Sequence, residues 1–330
     1  MLSKSIIFPN GTKLNFFGTE YLMRSIEKTF PFIDEYRPDK IVNEVTFSYR
    51  GIIKEEDIKV PGGLEKIKGF AGPSYYRWKD PYMTCAYSPK EERRGSHFVR
   101  HNERLFNVYL HENEREDIIC RVARDVVMRD MLRQGYFPIH ACVVDDGNGA
   151  NIIFGGKGSG KSTAMFSAIL FDGQTPLSGD VAFVKPEENG KWTVLGWPWR
   201  VSIDEQYFII VGKKTNKKYE ERGKYRYPPK DFCDEFNTKW IWKAEIKNLI
   251  KADIQVGNKP ILKDVSSDEM LHYLTNEGVD EWSWGDSLGV GIREPKYLYE
   301  KLAHDINGKR LSGDIMQYYK NNVMSKNLLI

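Results

Sequence analysis

The segment from Gly155 to Ser162 constrains the fold of this chain more than any other part of the sequence. It reads GGKGSGKS and satisfies the pattern GxxxxGK[ST] at every fixed position. The apolar run NIIF precedes it, and the helix-favouring run STAMFSAIL follows it. A strand, a glycine-rich turn and a helix in that order direct backbone N–H groups and the positive end of a helix dipole at one place. We therefore predict that this segment, the glycine loop, binds the phosphates of a nucleoside triphosphate together with magnesium.

Each residue type in the glycine loop has a predicted part in holding phosphate. Glycines let the backbone turn its N–H groups inward, Lys161 offers an exposed charge to the β and γ phosphates, and Ser162 can ligate magnesium. The strand and the helix on either side argue against a glycine-rich hairpin that contains Lys-Ser by chance. The predicted nucleotide-binding residues are Gly156, Lys157, Gly158, Ser159, Gly160, Lys161, Ser162 and Thr163.

The composition describes a folded protein without the strong positive charge of a general nucleic-acid binder. Of the 330 residues, 41% are apolar, and 49 basic residues nearly balance 46 acidic ones. The four cysteines are widely spaced and form no CxxC pair, which favours a reducing compartment. No uninterrupted apolar run approaches the length of a membrane span. We expect a cytoplasmic protein without nucleic-acid or membrane partners.

The sequence pattern predicts an α/β fold with two regions. Residues 1–112 contain aromatic-rich stretches such as EVTFSYRGIIK, which read as short strands, and we predict a smaller, mostly β accessory region there. Residues 113–330 are predicted to form the domain that carries the glycine loop, with a helical extension at its C-terminal end. Within them, a helix with apolar residues at three- and four-residue steps ends before Gly135.

Several segments near the glycine loop receive predictions of their own. FPIHACVVDD reads as one strand, a turn at DDGNGA leads into the strand before the loop, and TPLSGDVAFVKPE reads as one further strand. Residues 213–230 read as a charged loop, too polar to pack and able to close over a substrate. PKYLYEKLAHDI reads as a helix near the C-terminal end.

A set of short motifs in a fixed order surrounds the glycine loop. The helix that ends before Gly135 is followed by IHA, IIFGGKGSGKST, LSGD and VLGWPWRVSI, and Asp180 of LSGD comes only nineteen residues after Lys161. These motifs resemble the HPr kinase/phosphorylase family, and especially the small HPr kinase-like proteins of lasso-peptide and related ribosomal peptide pathways. The resemblance covers Arg121 to Ile203.

The resemblance implies a fold and an activity. The fold would be a P-loop core of the HPr kinase/phosphoenolpyruvate carboxykinase type with a mixed sheet. The activity would be ATP- and magnesium-dependent phosphorylation of a serine or threonine hydroxyl on a peptide or protein. A ribosomal precursor peptide is one such acceptor, and formation of a homo-oligomer is left open.

The resemblance also implies roles for individual residues. Lys161 would hold phosphate, His140 would lie beside the reaction centre, and Asp180 would be the acid of the site. Ser162 and Asp180 would bind magnesium. Gly179 stands where the family has the first acid of an Asp-Asp pair, and that acid would be the base for the acceptor hydroxyl.

Gly179 keeps two other functions open. One is a nucleotide-gated binding protein that presents a peptide without catalysis, and the other is a transferase that moves a nucleotidyl group or acts on a small-molecule alcohol. Asp204 and Glu205 are candidates for a further magnesium-side acid, with a solvated loop as the alternative. The candidates for charge neutralisation are Arg200, Arg222 and Arg226.

Overall fold

The chain divides into two compact units, each with its own sheet. Among the described residues, unit 1 runs from Met1 to Gly135 and unit 2 begins at Tyr136. The computed structural model describes residues 1–30, 38, 40–68, 74–89, 97–111, 117–197, 201–211, 214, 216, 218, 220–221, 223–255, 258–278 and 296–314. In this described part, no helix is long and apolar enough to cross a membrane.

Unit 1 is a sheet of eight strands with two helices. Its strands are β1 (Leu2–Ile7), β2 (Thr12–Gly18), β3 (Asn43–Ile52), β4 (Lys66–Lys68), β5 (Ser74–Asp80), β6 (Met83–Ser88), β7 (His97–His101) and β8 (Leu105–Leu110), and its helices are α1 (Glu20–Thr29) and α2 (Asp117–Arg133). The strand order is β1-β2-β3-β8-β7-β6-β5-β4. The pairs β2·β3 and β3·β8 are parallel, and the other pairs are antiparallel.

Aromatic residues in the strands and a capping threonine account for the sheet and the first helix of unit 1. Inward-facing aromatic residues of neighbouring strands stack in its core, where the ring centroids of Phe16 and Phe47 are 5.4 Å apart and those of Phe47 and Phe106 are 5.0 Å apart. Helix α1 begins after Thr19, whose hydroxyl accepts a hydrogen bond from the backbone N–H of Leu22. Helix α2 groups with unit 1, although the predicted domain division placed it after residue 112. The functional division at 112/113 stays a prediction.

Unit 2 carries the glycine loop. Its strands are β9 (Phe137–Ile139), β10 (Ala141–Asp145), β11 (Ala150–Phe154), β12 (Thr175–Ser178), β13 (Ala182–Pro186), β14 (Trp192–Gly196), β15 (Val201–Asp204), β16 (Glu220–Glu221), β17 (Lys224–Tyr227), β18 (Lys243–Asp253), β19 (Ile261–Asp264) and β20 (Asn307–Ser312). Its helices are α3 (Lys161–Asp172), α4 (Glu205–Val211), α5 (Pro229–Phe236), α6 (Ser267–Tyr273) and α7 (Lys296–Asp305), and a π-helical turn, Leu274–Gly278, follows α6.

The main sheet of unit 2 is mixed. Seven strands follow the order β12-β10-β11-β18-β14-β13-β9, and β20 adds to it by pairing with both β18 and β19. Strand β18 is parallel to β11 and to β20, whereas the other pairs are antiparallel. A second, small sheet has the order β15-β17-β16. The predicted α/β class with a mixed sheet is confirmed.

Two segments that were each predicted to be one strand are interrupted. His140 separates β9 from β10, because β9 pairs with β13 whereas β10 pairs with β11 and β12. Residues 179–181 separate β12 from β13, and the hydroxyl of Ser178 donates to the carbonyl of Val181 across that turn at 2.5 Å. Both interruptions arise because the two halves of each segment pair with different strands.

Two further predictions are corrected. Residues 213–230 were expected to be too polar to pack, but they include β16, β17 and the start of α5. In β17 the alternating sequence KYRY buries Tyr225 and Tyr227, and Lys224 and Arg226 are less buried. The C-terminal end is not only helical, since β20 follows α7 and joins the sheet beside β18.

Helix α3 packs under two later helices. The ring of Phe166 on α3 lies 4.7 Å from that of Tyr207 on α4, and 5.7 Å and 4.7 Å from those of Phe232 and Phe236 on α5. The hydroxyls of Tyr207 and Ser167 are 3.1 Å apart. Packing among these rings stabilises the position of α3, the helix that begins in the glycine loop.

The close approach of β12 and β14 yields a stability prediction. A Cβ atom at Gly196 would lie 2.1 Å from the carbonyl oxygen of Leu177, so Gly196→Ala must displace backbone. We expect it to lower the free energy of unfolding by about 1–3 kcal/mol or more, as overpacking does. Urea denaturation measures this. A Cβ atom at Gly62 meets no atom within 4 Å, so Gly62→Ala is the control. Equal midpoints for the two variants would contradict the prediction.

Candidate functional site

The glycine loop connects β11 to α3 and leans against the end of β18. Gly160, the residue before α3, has φ +91°, and a Cβ atom there would lie 2.7 Å from Ile254. At Gly155 a Cβ atom would lie 2.9 Å from the carbonyl oxygen of Ala252. Glycine is therefore required both by the left-handed conformation and by the close contact with β18. Strand β11, the glycine loop and helix α3 together form the strand–turn–helix that the motif predicts.

The side chain of Lys161 folds into the glycine loop. Its Nζ donates to the carbonyl oxygens of Gly155, at 2.6 Å, and Gly156, at 3.2 Å. Lys161 is only 9% exposed, so the prediction of an exposed lysine is wrong. The physical reason is that the loop turns two carbonyl groups towards the ammonium group, which satisfies hydrogen-bonding groups of both partners.

Cys142 on β10 lies beneath one side of the glycine loop. Its Sγ donates to the carbonyl oxygen of Gly179 at 3.2 Å and lies 4.0 Å from the hydroxyl of Ser162. Burial raises the pKa of Cys142 to about 12, against the opposing charge of Lys161. Cys142 is therefore a neutral thiol. Because it contacts both Ser162 and Gly179, it lies between Ser162 and the turn that carries Asp180.

The structure brings together His140 and Asp180, two of the predicted catalytic residues. His140 lies at the interruption between β9 and β10, and Asp180 lies at the interruption between β12 and β13. These breaks face each other because β9 pairs with β13 and β10 pairs with β12. Nε2 of His140 is 3.4 Å from Oδ1 of Asp180, and the side chains are 21% and 45% exposed. The pair is thus open to a substrate.

Ser162 and Asp180 provide the kind of donors that magnesium takes. Both present hard oxygen atoms, and magnesium in nucleotide sites commonly uses one or two carboxylates together with substrate phosphates. Within the residues that the structure describes, no group of three or more histidine, cysteine or acidic residues is arranged to hold a metal ion. Magnesium binding by Ser162 and Asp180 stays a prediction.

The other candidate polar residues have partners away from the glycine loop or lie outside the described residues. Oδ1 of Asp204 accepts from the backbone N–H of Gln206 at 3.1 Å, and Oε1 of Glu205 accepts from the hydroxyl of Tyr225 at 3.3 Å. These contacts join β15, α4 and β17, so they give both acids a structural role. Arg226 lies on β17, whereas Arg200 and Arg222 fall outside the described residues.

A polar pocket of about 440 Å³ opens on the other side of the glycine loop. Residues that the sequence interpretation missed line it together with part of the loop. Oε2 of Glu277 accepts a hydrogen bond from the backbone N–H of Gly156 at 2.7 Å and lies 2.6 Å from Nζ of Lys251. The lining consists of Gly156, Lys157, Gly158, Ser159, Lys251, Asp253, Ile254, Tyr273, Glu277 and Arg310.

Each of the two acids that line this pocket is paired with a cation. Burial opposes ionisation of Glu277, yet the hydrogen bonds from Lys251 and Gly156 hold its pKa below the ordinary value. The hydrogen bond from Arg310, at 2.5 Å, lowers the pKa of Asp253. At neutral pH each acid is therefore a carboxylate with a cation as its partner.

Only part of this pocket had a signal in the sequence. Lys251 and Asp253 end the apolar run NLIKAD, and parallel pairing sets Lys251 opposite Phe154, the last residue of β11. Polar residues at the end of a strand beside the strand before the loop could have been recognised. Glu277 follows Lys251 by many residues in a π-helical turn and has no local signature.

No protein-family model matches the chain, and no curated protein matches it. A function is therefore inferred from the geometry of the site.

The contacts of Lys161 yield a binding prediction. We expect Lys161→Met, which keeps the apolar stem and removes the charge, to weaken ATP binding by about 10- to 100-fold, the value of a hydrogen bond from a charged group. Isothermal titration calorimetry in the presence of magnesium measures it. Lys239→Met is the control, because the side chain of Lys239 is exposed and lies outside the glycine loop. Equal affinity of the two variants would rule out the assignment of Lys161.

Proposed function

We propose that the protein is an ATP-dependent kinase that transfers a phosphoryl group to a serine or threonine hydroxyl of a peptide or protein, on a P-loop core of the HPr kinase-like type. The observation that carries the proposal is the His140–Asp180 pair close to the glycine loop. Only the side chain of Cys142 lies between Ser162 of the loop and Gly179, the neighbour of Asp180. A side chain that orients the acceptor hydroxyl and takes its proton, close to a phosphate-binding motif, is one of the recurring parts of phosphoryl-transfer sites.

The glycine loop would bind the triphosphate. Its backbone N–H groups and the first turn of α3 favour anionic oxygens, and Lys161 adds a positive charge at the centre of the loop. Magnesium held by Ser162, Asp180 and the phosphates would neutralise negative charge and orient the γ-phosphate. Ordered cations matter because this transfer depends on positioning and charge more than on covalent chemistry by the protein.

Asp180 and His140 would handle the acceptor. The hydroxyl oxygen forms a bond to the γ-phosphorus as the bond to the β–γ bridging oxygen breaks, and ADP leaves with the bridging oxygen. The hydroxyl proton passes to the carboxylate of Asp180 or to the imidazole of His140, which contact each other. Transfer through a loose transition state needs alignment of the hydroxyl more than its prior deprotonation.

Gly179 favours a second function. Its carbonyl oxygen accepts from Cys142, and it contributes no carboxylate where the resembled family has one. A protein that binds ATP and presents a peptide without chemistry would retain the glycine loop and tolerate this loss. A transferase for a nucleotidyl group or a small-molecule alcohol is the third alternative. All four cysteines are buried thiols rather than disulfides, which supports a reducing, cytoplasmic setting for any of these functions.

The kinase proposal predicts a covalent product. After incubation with ATP and magnesium, a candidate precursor peptide or protein acceptor should gain the mass of one phosphate on a serine or threonine. Intact-mass spectrometry followed by fragmentation identifies the group and its position. A nucleotidyl adduct would instead support the nucleotidyltransferase, and an unmodified acceptor that nevertheless binds in an ATP-dependent manner would support the gated binding protein.

The exposed carboxylate of Asp180 yields a kinetic prediction. Asp180→Asn should lower single-turnover phosphoryl transfer by about 10²- to 10⁴-fold, as loss of a general base does, and should leave the fold intact. The control is Asp264→Asn, the same change on an exposed position of β19. His140→Ala should lower the rate as well, by a smaller factor if His140 only orients the acceptor. A fully active Asp180→Asn protein would overturn the mechanism and favour the binding protein.

A further inference from the structure

Glu277 places a carboxylate against the backbone of the glycine loop. One oxygen atom, Oε2, accepts a hydrogen bond from the N–H of Gly156 at 2.7 Å and forms an ion pair with the ammonium group of Lys251 at 2.6 Å. An oxygen that accepts from a backbone N–H of a phosphate-binding motif and from a lysine has the surroundings of a phosphate oxygen. In chemical terms, Glu277 stands in for a ligand oxyanion.

The two nitrogen donors are held in place without Glu277. Lys251 belongs to β18, its side chain is only 8% exposed, and its Nζ also donates to the carbonyl oxygen of Ala252 at 3.1 Å. The N–H of Gly156 is held by the turn between β11 and α3. The donors would therefore remain together if the carboxylate moved away, and they would leave a site for another anion.

The carboxylate is the part of this contact that can exchange. The side chain of Glu277 is 31% exposed, and the pocket of about 440 Å³ beside it has room for a phosphate group. Its partners Gly156 and Lys251 both line that pocket. Glu277 lies in a π-helical turn, a local irregularity that costs stability and is often found at functional sites.

We propose that the backbone N–H of Gly156 and Nζ of Lys251 form a second oxyanion subsite of the glycine loop, and that Glu277 competes with a phosphate oxygen of the ligand for it. This inference rests on the proposed binding of a triphosphate and adds Lys251 to the binding residues. It makes Glu277 an internal competitor, which lowers the affinity for the triphosphate because the carboxylate must leave before the phosphate can occupy the subsite.

The same turn contacts the predicted catalytic pair. The carbonyl oxygen of Gly278, the residue after Glu277, accepts the backbone N–H of His140 at 2.8 Å. Movement of Glu277 would therefore shift the backbone next to Gly278, whose carbonyl oxygen holds the N–H of His140. Binding of phosphate in the subsite would in this way affect the position of the His140 backbone, and with it that of the imidazole.

The experiment compares binding of inorganic tripolyphosphate, and of ATP with magnesium, to the full chain and its variants by isothermal titration calorimetry. Glu277→Gln keeps the size of the side chain and removes the competing charge, so affinity for both probes should rise about tenfold. Glu300→Gln, the same change on the exposed face of α7, should leave affinity unchanged. Thermal unfolding of each variant checks the fold.

A second substitution tests the subsite itself. Lys251→Met should weaken tripolyphosphate binding, and the double variant Lys251→Met/Glu277→Gln should lose most of the tenfold gain, because the neutral side chain offers the phosphate no charge. If the Lys251 variants do not fold, the Glu277→Gln titration alone decides between competition and a structural role.

The outcomes separate this inference from the proposed function. Equal or weaker binding by Glu277→Gln, with measurable binding by the unmodified chain, would overturn the competition and leave the triphosphate site standing. Failure of all the proteins to bind either probe would overturn the triphosphate site, and the subsite with it. Tighter binding by Glu277→Gln without any phosphorylated acceptor would support the subsite and argue for a binding protein.

Discussion

The site depends on the pairing of β11 with two different neighbours. Strand β10 lies antiparallel to β11 on one side, and β18 lies parallel to it on the other. The glycine loop follows the end of β11, so β10 borders the loop on one side and β18 borders it on the other. Ser162 faces Cys142 of β10, whereas Gly155 lies against Ala252 of β18. A slip of either pairing by one residue would turn the bordering side chains to the opposite face of the sheet.

The two borders carry different chemistry. On the β10 side, the side chains of His140 and Asp180 lie 3.4 Å apart and are open to solvent. On the β18 side, Lys251 and Glu277 form an ion pair whose lysine is deeply buried. Lys161 lies between them, bound to carbonyl groups of the loop.

The sequence predicted the glycine loop and helix α3, because both depend on a short motif with its own local physics. His140 and Asp180 were named through the family resemblance, and their catalytic role stays a prediction. The rest of the sequence was less informative. It did not find the interruptions at His140 and Gly179, since continuous apolar runs give no sign of which strands will become their partners. It also missed Tyr225 and Tyr227, whose alternation is hidden in a strongly charged segment, and Glu277, which reaches the loop only through tertiary structure. Local chemistry was predictable, whereas contacts between distant segments were not.

The parallel pairing of β11 with β18 has a consequence for how the protein acquires its site. Strand β11, before the glycine loop, and strand β18, which supports the loop, are far apart along the chain. In the described residues, helix α3, the six strands β12 to β17 and helices α4 and α5 lie between them. Pairings between such distant segments form late, because the intervening chain must first lose its freedom. During synthesis, the glycine loop therefore emerges long before β18 is available to shape it. An emerging or truncated chain that lacks β18 would contain the whole motif and still lack the rigid turn that the motif specifies.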